Sequence, residues 1–445
     1  MNAMYASLPQ VERLLQQRRI EVWFDRVSRP VAVSVVRHTL SHLRSLIETE
    51  GRTFSLEEII STCEDELKKT YQRRLKRVIN ASGVIIHTNL GRAPISGESW
   101  QKAQELNCRY TNLEFDLEPG KRGKRSSYTT ELLCRVASSE AALVVNNNAA
   151  AIFLILATFA KGKEVIVSRS ELVQIGGGFR IPDILTSSGA KLVEVGTTNI
   201  TTIDDYLEAI TGRTAMVLKV HRSNFALRGF TAEPTIRELA EALPDGLLLA
   251  VDQGSGVLDD DTPGEKAVST FIKEGAHLVS FSADKALGSV QAGCIVGDEA
   301  LIATLGKHPL YRTLRVGKTV SSLLEASLID HLNGKAVPAL ALASRTVEEM
   351  ERLGEKILAA VDSPRLSLVE DTMTIGGGST PDETRPSISV KVTSAKAHKD
   401  AQFLRLRDVP IIATVSKGAL LLNLGAVFAD ECEEIALALK ALLGV

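Results

Sequence analysis

Apolar positions between Leu8 and about Arg77 recur at helical spacing, as in Val11, Leu14 and Leu15 and later Leu40, Leu43 and Leu46, with no strand-like alternation. This predicts a small helical domain over residues 1–77. Within it, Ser55 followed by Glu57 and Glu58 has the form of an N-cap with an acidic first turn, which starts a new helix. From residue 78 the texture changes. Short apolar runs at Ala141–Val145, Glu164–Val167, Lys191–Val195, Ala215–Val220, Leu247–Val251, Leu278–Phe281 and Cys294–Val296 alternate with helical stretches such as Ile236–Leu243. Strand-length runs separated by helices predict a mainly parallel sheet covered on both faces, a large α/β domain over 78–320. Helical spacing returns from Ser321 to about Lys356. Short strands at Ser387–Val392 and Ala419–Leu424 then precede a terminal helix, so a small α+β C-terminal domain is expected over 321–445.

Composition narrows the class. A chain of 445 residues with 44% hydrophobic, 24% charged and 4% aromatic residues buries a large core and is neither disordered nor fibrous. Its net charge of −2 gives no general affinity for nucleic acid, yet residues 1–80 hold 14 Lys or Arg against 10 Asp or Glu. The amino-terminal segment is therefore the one candidate basic module. Cys63, Cys108, Cys134, Cys294 and Cys432 are scattered with no C-x-x-C pair, which points to reduced cytoplasmic thiols rather than zinc or disulfides. Apolar runs such as Ala149–Ala160 are too short to span a bilayer, and no membrane association is expected.

Two residues carry the candidate chemistry. Asp252 ends the run Leu247–Val251, and Lys285 lies thirty-three residues later, just past Leu278–Ser282. Ligands of open α/β sheets collect at strand ends, and a strand-end carboxylate facing a desolvated lysine suits pyridoxal 5'-phosphate (PLP). The lysine would hold the aldehyde as a Schiff base and Asp252 would keep the pyridinium nitrogen protonated. Taken singly, Asp252 also reads as a cap of the turn Gln253–Gly256. Ser282 is placed to reach the cofactor phosphate. Asn147, Asn148 and Ala149 open an apolar helix after Leu143–Val145, so backbone N–H groups there would bind phosphate; an ordinary Asn-capped helix is the plain alternative. Arg312 and Arg315, three apart and expected on one helix face, and Arg92, in a glycine-bearing turn, have the planar fork that suits an oxyanion. Lys121–Arg125 reads as a solvated basic loop without P-loop spacing, and His38 and His42 as helix-surface residues.

At the level of motifs the chain resembles the bacterial selenocysteine synthase family, the L-seryl-tRNA(Sec) selenium transferases. The resemblance runs through Leu8–Leu15, Val78–Val84, His87–Arg92, Leu113–Leu117, Val145–Ala151, Ser168–Leu172, Phe179–Asp183, Glu194–Asn199 and the Lys285 segment with Gln291–Gly293. It implies a fold-type-I PLP enzyme, assembled as a homo-oligomer that is a dimer or a ring of dimers, whose amino-terminal domain docks tRNA(Sec) charged with serine. Position by position it makes Lys285 the Schiff-base lysine and Asp252 the pyridinium partner. Arg92, Arg312 and Arg315, with Asp284 beside the catalytic lysine, become the selenophosphate pocket, and Asn224 a contact of the cofactor's phenolic oxygen. The implied reaction converts L-seryl-tRNA(Sec) to L-selenocysteinyl-tRNA(Sec) through a dehydroalanyl-tRNA intermediate. Ala283 and Val290 stand where the family pattern has Gly and Pro, which alters backbone freedom beside the lysine. Two other readings compete: a PLP-dependent lyase or transferase of the same fold acting on a free amino acid or amino sugar, and a tRNA-binding protein whose catalysis has decayed. The full amino-terminal domain and the Arg312/Arg315 pair weigh against the first. Retention of both Asp252 and Lys285 weighs against the second.

Overall fold

The computed structural model describes residues 8–175, 179–222, 225–260, 265–376 and 379–445, and the chain divides into two compact units. The first comprises residues 8–78 with Arg405–Pro410. Its helices are Val11–Leu15, Arg18–Glu21, Phe24–Val27, Arg29–Glu50 and Leu56–Gln72. Ser55 begins the last of these with a reciprocal capping box: its hydroxyl accepts from the Glu58 N–H at 3.2 Å, and the Glu58 carboxylate accepts from the Ser55 N–H at 2.8 Å. That backbone bond holds the Glu58 carboxyl below its usual range. Gly51, left-handed at φ 65°, ends the preceding long helix. The helical stripes meet in a closed core in which Leu14, Ile20, Val36, Ile59, Cys63 and Leu67 are all fully buried. Leu67→Ala should therefore cost this unit about 2–5 kcal/mol, read as a lower first transition in thermal or urea unfolding of the full chain.

The second unit comprises residues 79–404 and 411–445. Its strands in chain order are β1 (Ile79–Ala81), β2 (Val84–Ile86), β3 (Phe115–Asp116), β4 (Lys121–Arg122), β5 (Ala141–Val145), β6 (Glu164–Ser168), β7 (Gln174–Ile175), β8 (Phe179–Arg180), β9 (Lys191–Val195), β10 (Thr214–Val220), β11 (Leu248–Gly254), β12 (Leu278–Ser282), β13 (Gly293–Gly297), β14 (Leu366–Gly376), β15 (Ser379–Val392), β16 (Ile411–Ser416) and β17 (Ala419–Asn423). The main sheet has the order β5-β13-β12-β11-β10-β6-β9. It is parallel except for β13, which runs antiparallel to both β12 and β5. Alternate residues feed separate apolar layers: Val217, Leu249, Val251 and Val279 face one, Met216, Leu218, Ala250 and Leu278 the other. Burial on both faces is why these strands read as continuous apolar runs.

A second sheet, ordered β1-β16-β17-β15-β14-β2, takes both edge strands from residues 79–86. β1 pairs with β16, and β2 with β14, both parallel. Three-residue strands are too short to show a period, and the apolar runs of the sequence show no strand before Ala141. The helical stretch after Ser321 proves to be three helices, Lys318–Leu332, Pro338–Ala343 and Val347–Val361. Pro338 sits at the start of the second, and a Thr346–Glu349 capping box starts the third. Among the described residues no helix is long and apolar enough to cross a membrane.

Candidate active site

β11 and β12 lie side by side and end together. Their register runs Asp252 opposite Ser280 and then shifts, with Gly254 opposite Phe281, so the chain bends away just after Asp252. Lys285 sits in the turn that follows β12. Ala283 N–H donates to Ala292 O (2.9 Å), Ser289 N–H to Ala283 O (2.9 Å) and Ala286 N–H to Ser255 O (3.0 Å), which holds the turn against the end of β11. Gly288 completes it at φ 68°, where a Cβ would lie 2.6 Å from Val337 Cγ2. The turn therefore closes with Ala283 and Val290 in place, so the departures from the family pattern leave the lysine segment ordered.

Asp252 and Lys285 are each only 7% exposed. Burial pushes the Asp252 carboxyl above its ordinary range, against the pull of the Asn148 hydrogen bond, Lys285 and His221. Burial, and then the Arg92 cation, pushes the Lys285 ammonium below its ordinary range, while Asp252, Asp284 and Glu265 oppose the shift. The lysine is thus biased toward the free amine, the form that attacks a carbonyl. The Asp252 carboxylate accepts from Asn148 Nδ2 at 2.7 Å, a neutral donor. When Lys285 gives up its charge to an aldehyde, Asp252 is left needing a cation. A pyridinium meets that need, so the residues present fit PLP.

Asn147 caps the helix Asn148–Phe159, its Oδ1 accepting from Ala150 N–H at 2.8 Å. Asn148 and Ala149 open that helix, and first-turn N–H groups have no partner within it. Gly293 lets β13 approach closely, since a Cβ there would fall 2.1 Å from Asn147 O. Ser282, buried at the end of β12, pairs across to Gly293. Ser282 and the Asn147 cap are therefore joined through one glycine. The side chain of Asn148 does something the sequence did not indicate: it reaches Asp252, and its own Oδ1 is buried with no hydrogen-bond partner.

Arg92 and Arg315 are held by different carboxylates, and Arg312 is exposed. Arg92, left-handed at φ 64° after Gly91, spans both oxygens of Asp284 through Nη1 at 3.0 and 2.9 Å, and Ala93 N–H donates to Asp284 O at 3.2 Å. This places a guanidinium beside the lysine turn. Arg312 and Arg315 do not share a helix face. The helix Pro309–Leu314 stops before Arg315, whose backbone turns extended and bridges to Val145 at the end of β5. Arg315 Nη1 lies 3.5 Å from Glu114 Oε1, while Arg312 is exposed in the last helical turn. Glu114 also takes Arg125 at 2.7 Å and Arg122 at 3.1 Å, while Lys121, Arg122 and Lys124 are exposed, as a solvated basic loop would have them. Asn224 lies outside the described residues.

Two further groups border the site without having been read from the sequence. His221 follows β10 directly, and its N–H donates to Asp252 O at 2.9 Å. It ends the run Ala215–Val220, so the strand-end rule that picks out Asp252 applies to it equally. Glu265, with its side chain 1% exposed, meets His221 Nε2 at 3.0 Å and accepts from Ser255 Oγ at 2.9 Å. It lies in a loop and carries no sequence signal.

Comparison with known proteins shows the family. The family model for SelA, L-seryl-tRNA selenium transferase, matches residues 78–428. Proteins named L-seryl-tRNA(Sec) selenium transferase are similar along the whole chain. That of Geotalea daltonii is 39% identical, covering 98% of this chain and 99% of its own. That of Sulfurimonas denitrificans is 39% identical, covering 99% of each, and that of Caldanaerobacter subterraneus subsp. tengcongensis is 38% identical over the full length of both. Among solved structures, D-glucosaminate-6-phosphate ammonia-lyase superposes with a TM-score of 0.61 at 21% identity, covering 83% of this chain and 96% of that one. The architecture is the mainly parallel α/β arrangement expected from the strand pattern and the fold-type-I class that the resemblance implies. With matches of this extent and identity, the chain belongs to the L-seryl-tRNA selenium transferase family.

Proposed function

We propose that this chain is a PLP-dependent enzyme that converts L-seryl-tRNA(Sec) to L-selenocysteinyl-tRNA(Sec) with selenophosphate as donor. The observation that carries the reading is the joint burial of Lys285 and Asp252 at adjacent strand ends, within a chain of this family. PLP, when bound, supplies an electron sink for the Cα of the seryl group. Lys285 Nζ would hold the cofactor and, as a free amine, would take the Cα proton; its bias toward the neutral amine suits a base. Asp252 keeps the proton on the ring nitrogen, and Asn148 fixes which carboxylate oxygen is free to do so. The helix start at Asn147, Asn148 and Ala149, with Ser282, binds the phosphate. Arg92 is held by Asp284 close to the reacting centre, and Arg312 and Arg315 complete the binding of the anionic donor. Burial of the lysine turn keeps out water that would compete with the selenium nucleophile.

In this reading residues 1–77 form the tRNA-docking domain, 78–320 the PLP-binding domain and 321–445 the small C-terminal domain. The basic balance of the first segment supports the docking role, as do Arg26, Arg74 and Lys76 stacked over the rings of Trp23 and Tyr71. Exposed Tyr110, Phe115 and Leu117 support assembly of copies into a homo-oligomer. Its place of work is the cytoplasm, where charged tRNA is found. The likeness to an ammonia-lyase fold keeps one rival in view, a lyase acting on a free amino acid or amino sugar. Substrate discrimination decides between them. The PLP-loaded chain should consume L-seryl-tRNA(Sec) with selenophosphate and leave free L-serine untouched; turnover of free serine with intact charged tRNA would establish the lyase.

A further inference from the structure

The residues that follow β10 and β11 meet on one carboxylate, and one of them also holds the turn after β12. Glu265 Oε1 meets His221 Nε2 at 3.0 Å after β10, and Oε2 accepts from Ser255 Oγ at 2.9 Å after β11. Ser255 O in turn accepts from Ala286 N–H at 3.0 Å in the turn after β12, next to Lys285, and His221 N–H donates to Asp252 O at 2.9 Å. With Glu265 as the carboxylate acceptor, the donor of this bond is the His221 Nε2–H tautomer. A buried carboxylate is costly to desolvate, and a neutral side chain could clasp an imidazole and a hydroxyl without that cost. The charge itself therefore asks for a use, and Lys285 is the buried cation nearby. The charged groups facing Lys285 are Arg92, Asp252, Asp284 and Glu265; Asp252 in turn faces Asn148, His221 and Lys285.

We propose that Glu265 is a positioning residue of the reaction: held between His221 and Ser255, it ties the ends of β10 and β11 together beside the Lys285 turn and adds a negative charge to the surroundings of the lysine. Its field favours the protonated form of Lys285, and so makes the displaced lysine a better acceptor of the Cα proton. The inference rests on the reading that Lys285 is the cofactor lysine and base.

Glu265→Gln keeps the shape and removes the charge. In the PLP-free full chain, Lys285 of this variant should be acylated several-fold faster than wild type at neutral pH, measured by mass spectrometry of the Lys285 peptide. In the PLP-loaded protein the pH midpoint of the visible band should move to lower pH, and kcat should fall roughly tenfold. Ser255→Ala keeps the charge and loosens the clasp, so it should leave the midpoint in place while PLP dissociates faster. Wild-type labelling and midpoint in a folded Glu265→Gln protein would overturn the proposal. Should that variant fail to fold, a wild-type PLP dissociation rate in Ser255→Ala would overturn it instead. A wild-type chain that takes up no PLP counts against the functional reading; the labelling experiment on the PLP-free chain still decides the role of Glu265.

Discussion

Lys285→Ala is expected to lower selenium transfer by roughly four orders of magnitude or more. In the proposed reading the loss is large because one amine would have two duties, holding the cofactor and taking the Cα proton. Neither Arg92 nor Asn148 can replace it, the first being permanently protonated and the second having no basic nitrogen. The variant should nevertheless fold. The lysine is buried and pushed toward its neutral form, so the native state gains little from its charge, and the turn around it is closed by main-chain bonds from Ala283, Ala286 and Ser289. Titration with PLP should show no visible band of a lysine-linked cofactor, while the thermal transition stays near that of wild type.

Asp252→Asn should cost on the order of a thousandfold in rate, because in the proposed reading the ring nitrogen would lose the carboxylate that keeps it protonated and the electron sink would weaken. The substitution leaves an acceptor for Asn148 Nδ2, which separates this loss from collapse of the site. Stability should move the other way. Burial raises the Asp252 carboxyl above its unfolded value of about 3.9. In the PLP-free chain its contribution to stability is therefore full at acid pH and is lost as pH rises through the raised value. Asp252→Asn escapes that loss, so the PLP-free variant should melt higher than PLP-free wild type at neutral pH. In the loaded protein the sign reverses, since the ionised carboxylate is the form that pairs with the pyridinium. PLP affinity of wild type should fall on acidification, beginning above the ordinary carboxylate range, and the variant should lack that step. Equilibrium titrations and melts across the acid-to-neutral range read both effects.

Sequence patterning gave access to the main sheet because its strands are covered on both faces, so β5, β6, β10, β12 and β13 appear as runs bounded by polar turns. The same property exposes Asp252 and Lys285, polar groups standing at the ends of such runs. β1 and β2 escaped notice because three residues carry no period, and their partners lie some 290 to 330 positions away in the chain. Arg312 and Arg315 look like helix neighbours from their spacing. Only the extended backbone at Arg315, fixed by its bridge to Val145, shows that the helix has ended. Asn148 reads as part of a phosphate cradle because it opens a helix; that its side chain turns back to Asp252 is a tertiary contact across 104 positions. Glu265 was invisible for a related reason. Nothing local distinguishes a loop glutamate that will be buried between two strand ends from one left in water.

The fate of the amino acid on tRNA(Sec) decides whether this chain is the proposed enzyme. The most direct measurement is the mass of the amino acid recovered from seryl-tRNA(Sec) after incubation with the PLP-loaded chain and selenophosphate. Replacement of serine by selenocysteine, absent when Lys285→Ala is used, is the predicted result. Unchanged serine, from a chain that shows the lysine-linked PLP band and binds the charged tRNA, would contradict it.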